Sequence, residues 1–313
     1  MGVLVEGEWR SESSWAERDS GEFIRKASSF RNRVSADGSS GWAAEPGRYH
    51  LYVARSCPWC HRTMIFRELK QLQQVITMST VQPEMLEQGW TFGAPDPLTG
   101  ARRVYEIYLR AVPRYTGRAT VPILWDKQLQ TIVNNESADI LRMLNSEFAA
   151  FTADHTDYYP AALAHEIDAV NERIYRTVNN GVYRAGFAAQ QQPYEQAVRE
   201  LFATLDELEA TLGKRRYLLG ERVTEADWRL FPTLVRFDAV YYGHFKCNLR
   251  HVYEYPHLWG YTRELYQMPG IAATVSLDEY KAHYYGSHRN INPSGIVPLG
   301  PQLDLAAPHG RAL

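Results

Sequence analysis

An α/β domain followed by an all-α domain is the fold class that the 313 residues predict. Three observations lead there. A strand-like run at residues 49–54 meets a cysteine–proline turn and then a helical repeat. Strand signals recur as far as residues 131–134 and stop after about residue 160. Beyond that point apolar residues recur only at helical spacing.

The elements follow in order. Residues 1–48 are polar, with Trp9, Trp15, Phe23 and Phe30 spread through them. They are expected to form an N-terminal extension, an extended arm pinned to the body by its aromatics. Residues 49–54 (YHLYVA) alternate as a strand does. Pro58 suits the first turn of a helix, where its missing N–H is not needed. Ile65, Phe66, Leu69 and Leu72 continue that helix, and residues 75–81 return as a strand. Residues 82–118 are loop-rich, with a short helix over 104–109. Residues 120–126 turn into a strand, 126–130 form a hairpin loop, and 131–134 form the returning strand. Asn135-Glu136-Ser137 opens a helix through Ile140, Leu141 and Leu144. The order β-α-β, insert, β-β-α is that of a thioredoxin-like domain, expected over residues 49–148 with a linker over 149–162.

An all-α substrate domain is expected over residues 163–286. Ile167, Val170, Ile174 and Val178 share one helical face, and Leu201, Leu205, Leu208 and Leu212 share another. Thr224-Glu225-Ala226-Asp227 reads as a capping box, with Val223 and Trp228 placed for a hydrophobic staple. The helix it opens runs on through residues 230–241, with Pro232 as a possible kink. The Pro- and Gly-rich tail, residues 287–313, is expected to wrap the surface.

Composition excludes several classes. Hydrophobic residues make up 45% and charged residues 22%, which a disordered chain would not have. The net charge is 34 − 36 = −2, so no nucleic-acid partner is expected. No apolar run is long enough to span a membrane. Three cysteines are too few for a disulfide framework. The N-terminus shows no secretory pattern, so a reducing cytoplasm is the expected location. The 20 Tyr and 8 Trp stand out, because aromatics with polar tips line binding clefts and interfaces.

Cys57-Pro58-Trp59-Cys60 carries the chemistry. A cysteine just before a helix has its thiolate stabilised by the helix dipole and unpaired N–H groups. His61 and Arg62 add positive charge nearby. A redox or thiol-transfer site is the reading that the βαβ context favours. The string also fits a c-type haem attachment, which the preceding strand and the absence of an export signal oppose. Zinc binding lacks a second ligand pair, since Cys247 stands alone. No metal is expected.

Val121-Pro122 belongs with that turn. In thioredoxin-like folds a cis-proline lies opposite the cysteine and frees the preceding backbone to pair with an extended peptide. Glu136-Ser137 at a helix start offers N–H groups and a hydroxyl to a carboxylate, and Arg118 is a candidate charge partner. Together these suit a small peptide with a carboxylate near a thiol, as glutathione is.

A thioredoxin-like domain with Ser-Cys-Pro-Trp-Cys at 56–60, Thr-Val-Pro at 120–122 and Asn-Glu-Ser at 135–137, followed by an all-α domain, resembles a glutathione transferase. Further segments resemble one branch, the glutathionyl-hydroquinone reductases or Xi-class glutathione transferases. These include Gly89-Trp90-Thr91-Phe92, Asn179-Asn180-Gly181-Val182-Tyr183, Gly243-His244-Phe245-Lys246-Cys247-Asn248 and Ile291-Asn292-Pro293-Ser294-Gly295. The matches run through nearly the whole chain, tail included. The family often has Ala where this chain has Cys60, which leaves open whether a second thiol takes part.

The resemblance implies roles. Cys57 resembles the nucleophile, and Trp90, Arg118, Val121, Glu136 and Ser137 resemble the glutathione contacts. Tyr183 resembles the proton donor. Tyr241 and Tyr284 resemble the tyrosines near the sulfur, with Tyr242 and Tyr285 as adjacent alternatives. The implied activity is glutathione-dependent reduction of glutathionyl-hydroquinones by a homodimer, with glutathione as co-substrate. The alternatives are an omega-like thiol transferase or dehydroascorbate reductase, and a protein that only sequesters aromatic compounds.

Overall fold

The computed structural model describes residues 2–11 and 20–311 and divides the chain into two units. Unit 1 comprises Met1–Ser13, Ala27–Thr156 and Thr274–Asn290; unit 2 comprises Ser14–Lys26, Asp157–Ala273 and Ile291–Leu313. Trp15, expected to pin the arm, lies outside the described residues.

Unit 1 begins with a hairpin of β1 (Gly2–Val5) and β2 (Glu8–Ser11). Its turn residues Glu6 and Gly7 both take positive φ, 52° and 88°, which matches the twist of a tight hairpin. Leu4 is fully buried and exchanges two backbone hydrogen bonds of 2.9 Å with Gly117. The start of the extension is therefore paired strand rather than a single extended arm. Strands of four residues carry too little periodicity to be seen beforehand.

The main sheet contains β3 (Tyr49–Val53), β4 (Thr77–Thr80), β5 (Ile123–Asp126) and β6 (Thr131–Asn134), in the order β4-β3-β5-β6. β3 is parallel to β4 and antiparallel to β5, and β6 is antiparallel to β5. Every residue of β3 and β5 is buried, as in central strands covered on both faces. Helix α1 (Pro58–Leu69) makes the crossover from β3 to β4. Helix α2 (Val104–Ala111) lies in the insert, and α3 (Ser137–Ser146) follows β6 and packs on α1. Asp126 closes the β5–β6 hairpin. Its Oδ1 accepts from the N–H groups of Gln128 and Leu129, and its Oδ2 from the buried Arg48 guanidinium. Edge strand β6 is covered by the arm: Asn32 N–H donates to Val133 O, and Arg31 bridges to Asn134.

Unit 2 is helical. Helix α4 (Ala164–Ile174) runs into a π-helical turn at Tyr175–Asn179, followed by α5 (Gly181–Gly186) and the long α6 (Gln191–Leu212). Leu201, Leu205 and Leu212 are fully buried on α6. Helix α7 (Glu225–Arg236) starts at the Thr224–Asp227 capping box and passes into a second π-helical turn, Phe237–Tyr241. Helix α8 (Pro256–Gln267) packs on α6 and α7. The C-terminal tail closes on this unit. Arg311 pairs with Glu264 at 3.1 Å, and Gln267 holds the carbonyls of Leu305 and Ala307. No described helix is long and apolar enough to cross a membrane.

The last helix, α9 (Leu277–Ser287), packs in unit 1 although its sequence follows the helices of unit 2. His283 Nδ1 donates to Pro83 O, Ser287 Oγ accepts from Met85 N–H, and Glu279 pairs with Arg55. These contacts, remote in sequence, are why helical periodicity alone groups α9 with the substrate domain.

Candidate active site

In unit 1, Cys57 is the N-cap of α1, with extended backbone, and Pro58 takes the first helical position. The first turn carries no acidic residue that would repel a thiolate at the positive end of the helix. Cys57 is 7% exposed, and its Sγ lies 3.8 Å from the Val121 carbonyl oxygen. The Val121-Pro122 peptide is cis, as the fold reading expected. Cys60 sits one turn inside and is fully buried; its Sγ accepts the Ala54 N–H at 3.4 Å. His61 and Arg62 are buried and engaged elsewhere. His61 Nε2 is 2.8 Å from Thr274 Oγ1, and the Arg62 guanidinium lies over the Trp59 ring.

Glu136 caps α3. Its Oε1 accepts the Ala138 N–H at 3.2 Å, and the buried Ser137 hydroxyl stands 3.5 Å away. Its Oε2 accepts from Ser28 Oγ at 2.9 Å. Arg118 is half-buried in the loop before β5, and its carbonyl faces Tyr115 Oη at 3.5 Å. Trp90 is buried and stacks on His283 with ring centroids 4.8 Å apart. Tyr284, next in α9, is fully buried against His283 and His288, whereas Tyr285 is partly exposed.

One residue that sequence reasoning missed ties two of these segments together. Tyr108 Oη donates to Thr120 O at 2.9 Å and accepts from Thr120 N–H and Asn135 Nδ2. It thereby joins the Thr-Val-Pro turn to the Asn-Glu-Ser helix start. Burial pushes its phenol up to about 12, so it stays a neutral donor near pH 7. The signal available beforehand was the excess of tyrosine, since a buried Tyr hydroxyl needs a partner. His283 was missed for a similar reason, because its stacking partner is distant in sequence.

Tyr183 and Tyr241 belong to unit 2. Tyr183 lies on α5 just after one π-helical turn, and Tyr241 closes the other; such turns are frequent at functional sites. Their ring centroids are 6.1 Å apart, and both pack on Phe245 of the Gly-His-Phe motif. Phe23 stacks on Tyr183 at 6.2 Å, and the Arg25 guanidinium lies 4.9 Å from the same ring. Tyr241 is fully buried, whereas Tyr242 is partly exposed and stacks on His251.

Residues 56–147 match the glutathione S-transferase N-terminal domain, and residues 191–264 match the glutathione S-transferase C-terminal domain. The chain is 51% identical to glutathionyl-hydroquinone reductase YqjG of Escherichia coli, covering 99% of this chain and 98% of that protein. It is also 51% identical to glutathionyl-hydroquinone reductase PcpF of Sphingobium chlorophenolicum, covering 97% and 98%. The glutathione-bound structure of YqjG aligns with a TM-score of 0.91 at 49% identity over 99% of both chains. The Xi-class glutathione transferase of Natrialba magadii aligns with a TM-score of 0.93 at 46% identity, over 99% of this chain and 96% of that one.

Proposed function

The chain belongs to the glutathione transferases, among the Xi-class glutathionyl-hydroquinone reductases, and we propose from this that it reduces glutathionyl-hydroquinones to hydroquinones with glutathione as co-substrate. The observation that carries the proposal is the Cys57 thiol at the start of α1, beside Val121, in a chain that matches two such reductases over nearly its whole length.

The chemistry follows from the thiol. An aryl carbon is a poor leaving group, so the substrate ring first tautomerises to its keto form. The Cys57 thiolate then attacks the glutathionyl sulfur. The S–S bond forms as the carbon–sulfur bond breaks, and the ring carbon departs as an enolate. Tyr183 supplies the proton that the sulfur-bearing carbon takes up in the tautomerisation, which a phenol is able to do, and the enolate rearomatises as the hydroquinone. Cys57 is left as a mixed disulfide with glutathione. A second glutathione thiolate attacks this disulfide, releases oxidised glutathione and restores the Cys57 thiolate. The proton carried in by the second glutathione balances the one taken by the ring.

Trp90, Arg118, Val121, Glu136 and Ser137 are the proposed glutathione contacts, and Tyr241 and Tyr284 the tyrosines serving the sulfur and ring. The inward burial of Tyr241 and Tyr284 favours them over their neighbours Tyr242 and Tyr285. A homodimer acting in the cytoplasm completes the proposal.

Tyr183→Phe separates this function from a general thiol transferase that would use the same Cys57. Hydroquinone release should fall by roughly 10²-fold or more, the usual worth of a general acid. Reduction of an alkyl–glutathione mixed disulfide needs no ring proton and should survive. Equal losses in both reactions would contradict the role given to Tyr183. Wild-type protein that releases no hydroquinone would contradict the function itself.

A further inference from the structure

The geometry points to Ser28 as a positioning residue of the glutathione site, holding the Glu136 carboxylate ready for the γ-glutamyl ammonium. This rests on the function proposed above. The γ-glutamyl end of glutathione carries an ammonium and a carboxylate on one carbon. A helix start with a hydroxyl suits the carboxylate, and Glu136 is the anion next to it. A glutamate on its own loses side-chain freedom when it takes up such a partner. Here that freedom is already restricted. Oε1 is held by the Ala138 N–H of its own helix. Oε2 is held at 2.9 Å by a serine 108 positions earlier in the chain. A carboxylate oxygen accepts more than one hydrogen bond, so Oε2 keeps capacity for an ammonium.

Ser28 is not a stray surface contact. The residues after it are pinned along the segment that contains Glu136. Ser29 Oγ is 2.8 Å from Tyr115 Oη. Phe30 N–H donates to Asn135 Oδ1 at 3.0 Å, and Phe30 O accepts Asn135 N–H at 3.1 Å. Arg31 pairs with Asp139, and Asn32 O accepts from Asn134 Nδ2 at 2.9 Å. The arm thus runs beside residues 134, 135 and 139 and delivers the Ser28 hydroxyl to the carboxylate between them. The N-terminal extension thereby becomes part of the site.

Titration calorimetry with two probes that cannot transfer a glutathionyl group tests this. One is S-methylglutathione; the other is the same molecule lacking the γ-glutamyl amino group. Ser28→Ala should weaken S-methylglutathione by roughly three- to tenfold, the scale of one ordinary intramolecular hydrogen bond, because Ser28 acts on the ligand only through Glu136. It should leave the deamino probe within twofold, because that probe has no ammonium for Glu136. Ser28→Thr keeps the hydroxyl and should bind both probes as wild type does. Arg31→Lys keeps the positive charge that Glu136 feels but loses the two-point contact with Asp139, so it loosens the same arm and should change neither affinity. Equal weakening of both probes by Ser28→Ala, or a matching loss in Arg31→Lys, would overturn the proposal, since arm docking alone would explain it. Unchanged binding in Ser28→Ala, with Glu136→Gln still weakening S-methylglutathione, would overturn it and leave the site assignment intact. Unchanged binding in Glu136→Gln would remove the assignment of Glu136 and the role of Ser28 with it.

Discussion

Two thiols one helical turn apart meet different surroundings. Cys57 stands at the helix cap with its sulfur toward a backbone carbonyl, and Cys60 is fully buried and takes up the Ala54 N–H. Cys60→Ala should therefore keep kcat within about twofold of wild type, because buried structural cysteines are inert. A tenfold loss would make Cys60 a resolving thiol. Tyr108→Phe is the opposite kind of change. It removes one hydroxyl and strands donors and acceptors on Thr120 and Asn135. Urea denaturation should show a loss of about 2 kcal/mol, the scale of a buried network left unsatisfied. A loss under half that would mean the two segments hold their places without it. At this scale the cysteine motif was legible because its signal is local: a strand, a cysteine and a proline in one short run. Tyr108, His283 and Ser28 were not, because each acts through a partner on a different element.

The Thr224–Asp227 box shows how far local legibility reaches among the elements. The sequence predicts the reciprocal cap, and the Asp227 carboxylate does accept from Thr224 N–H and its hydroxyl. It does not predict that the same carboxylate also accepts from Leu218 N–H and Tyr261 Oη. Asp227→Ala empties both sets, and a stability loss of about 3 kcal/mol is expected from denaturant titration. A loss near 1 kcal/mol would mean that the cap alone matters. Strand β3 gives a pH test. Burial pushes the His50 imidazole down from 6.5 to about 4, with Nδ1 2.7 Å from Thr77 Oγ1. Between those values the unfolded chain binds a proton that the folded chain does not. His50 therefore contributes fully above about pH 6.5, and its contribution is lost as the pH falls through about 4. The loss is of order 3 kcal/mol at most. His50→Leu, which cannot titrate, should show a shallower fall in stability between pH 7 and 4.5. Identical slopes would remove His50 as the cause.

For the whole molecule, the chain order and the packing do not coincide. Residues 20–26 and 291–311 pack with unit 2, and Thr274–Asn290 pack with unit 1. Patterns read along a chain report element type and order, and the thioredoxin-like succession of elements and the helical half came from them. They do not report that α9 returns to support Trp90 through His283. Nor do they show where the aromatic excess goes. Two of the tyrosines, Tyr183 and Tyr241, pack in unit 2 in one cluster with Phe23, Phe187 and Phe245. The proposed homodimer is a separate matter, and sedimentation of the purified protein at micromolar concentration should give twice the 35.9 kDa chain mass. A single-chain mass would contradict it.

The claim on which everything else depends is that Cys57 takes the glutathionyl group from the substrate. A single turnover with a glutathionylated hydroquinone and no free glutathione, followed by intact-mass spectrometry, tests it directly. Free hydroquinone should appear with one glutathionyl adduct per chain, mapped to Cys57, and added glutathione should remove the adduct as oxidised glutathione. Cys57→Ser should give neither product. Hydroquinone released at the wild-type rate by Cys57→Ser, or released by the wild type with no adduct on Cys57, would contradict the mechanism.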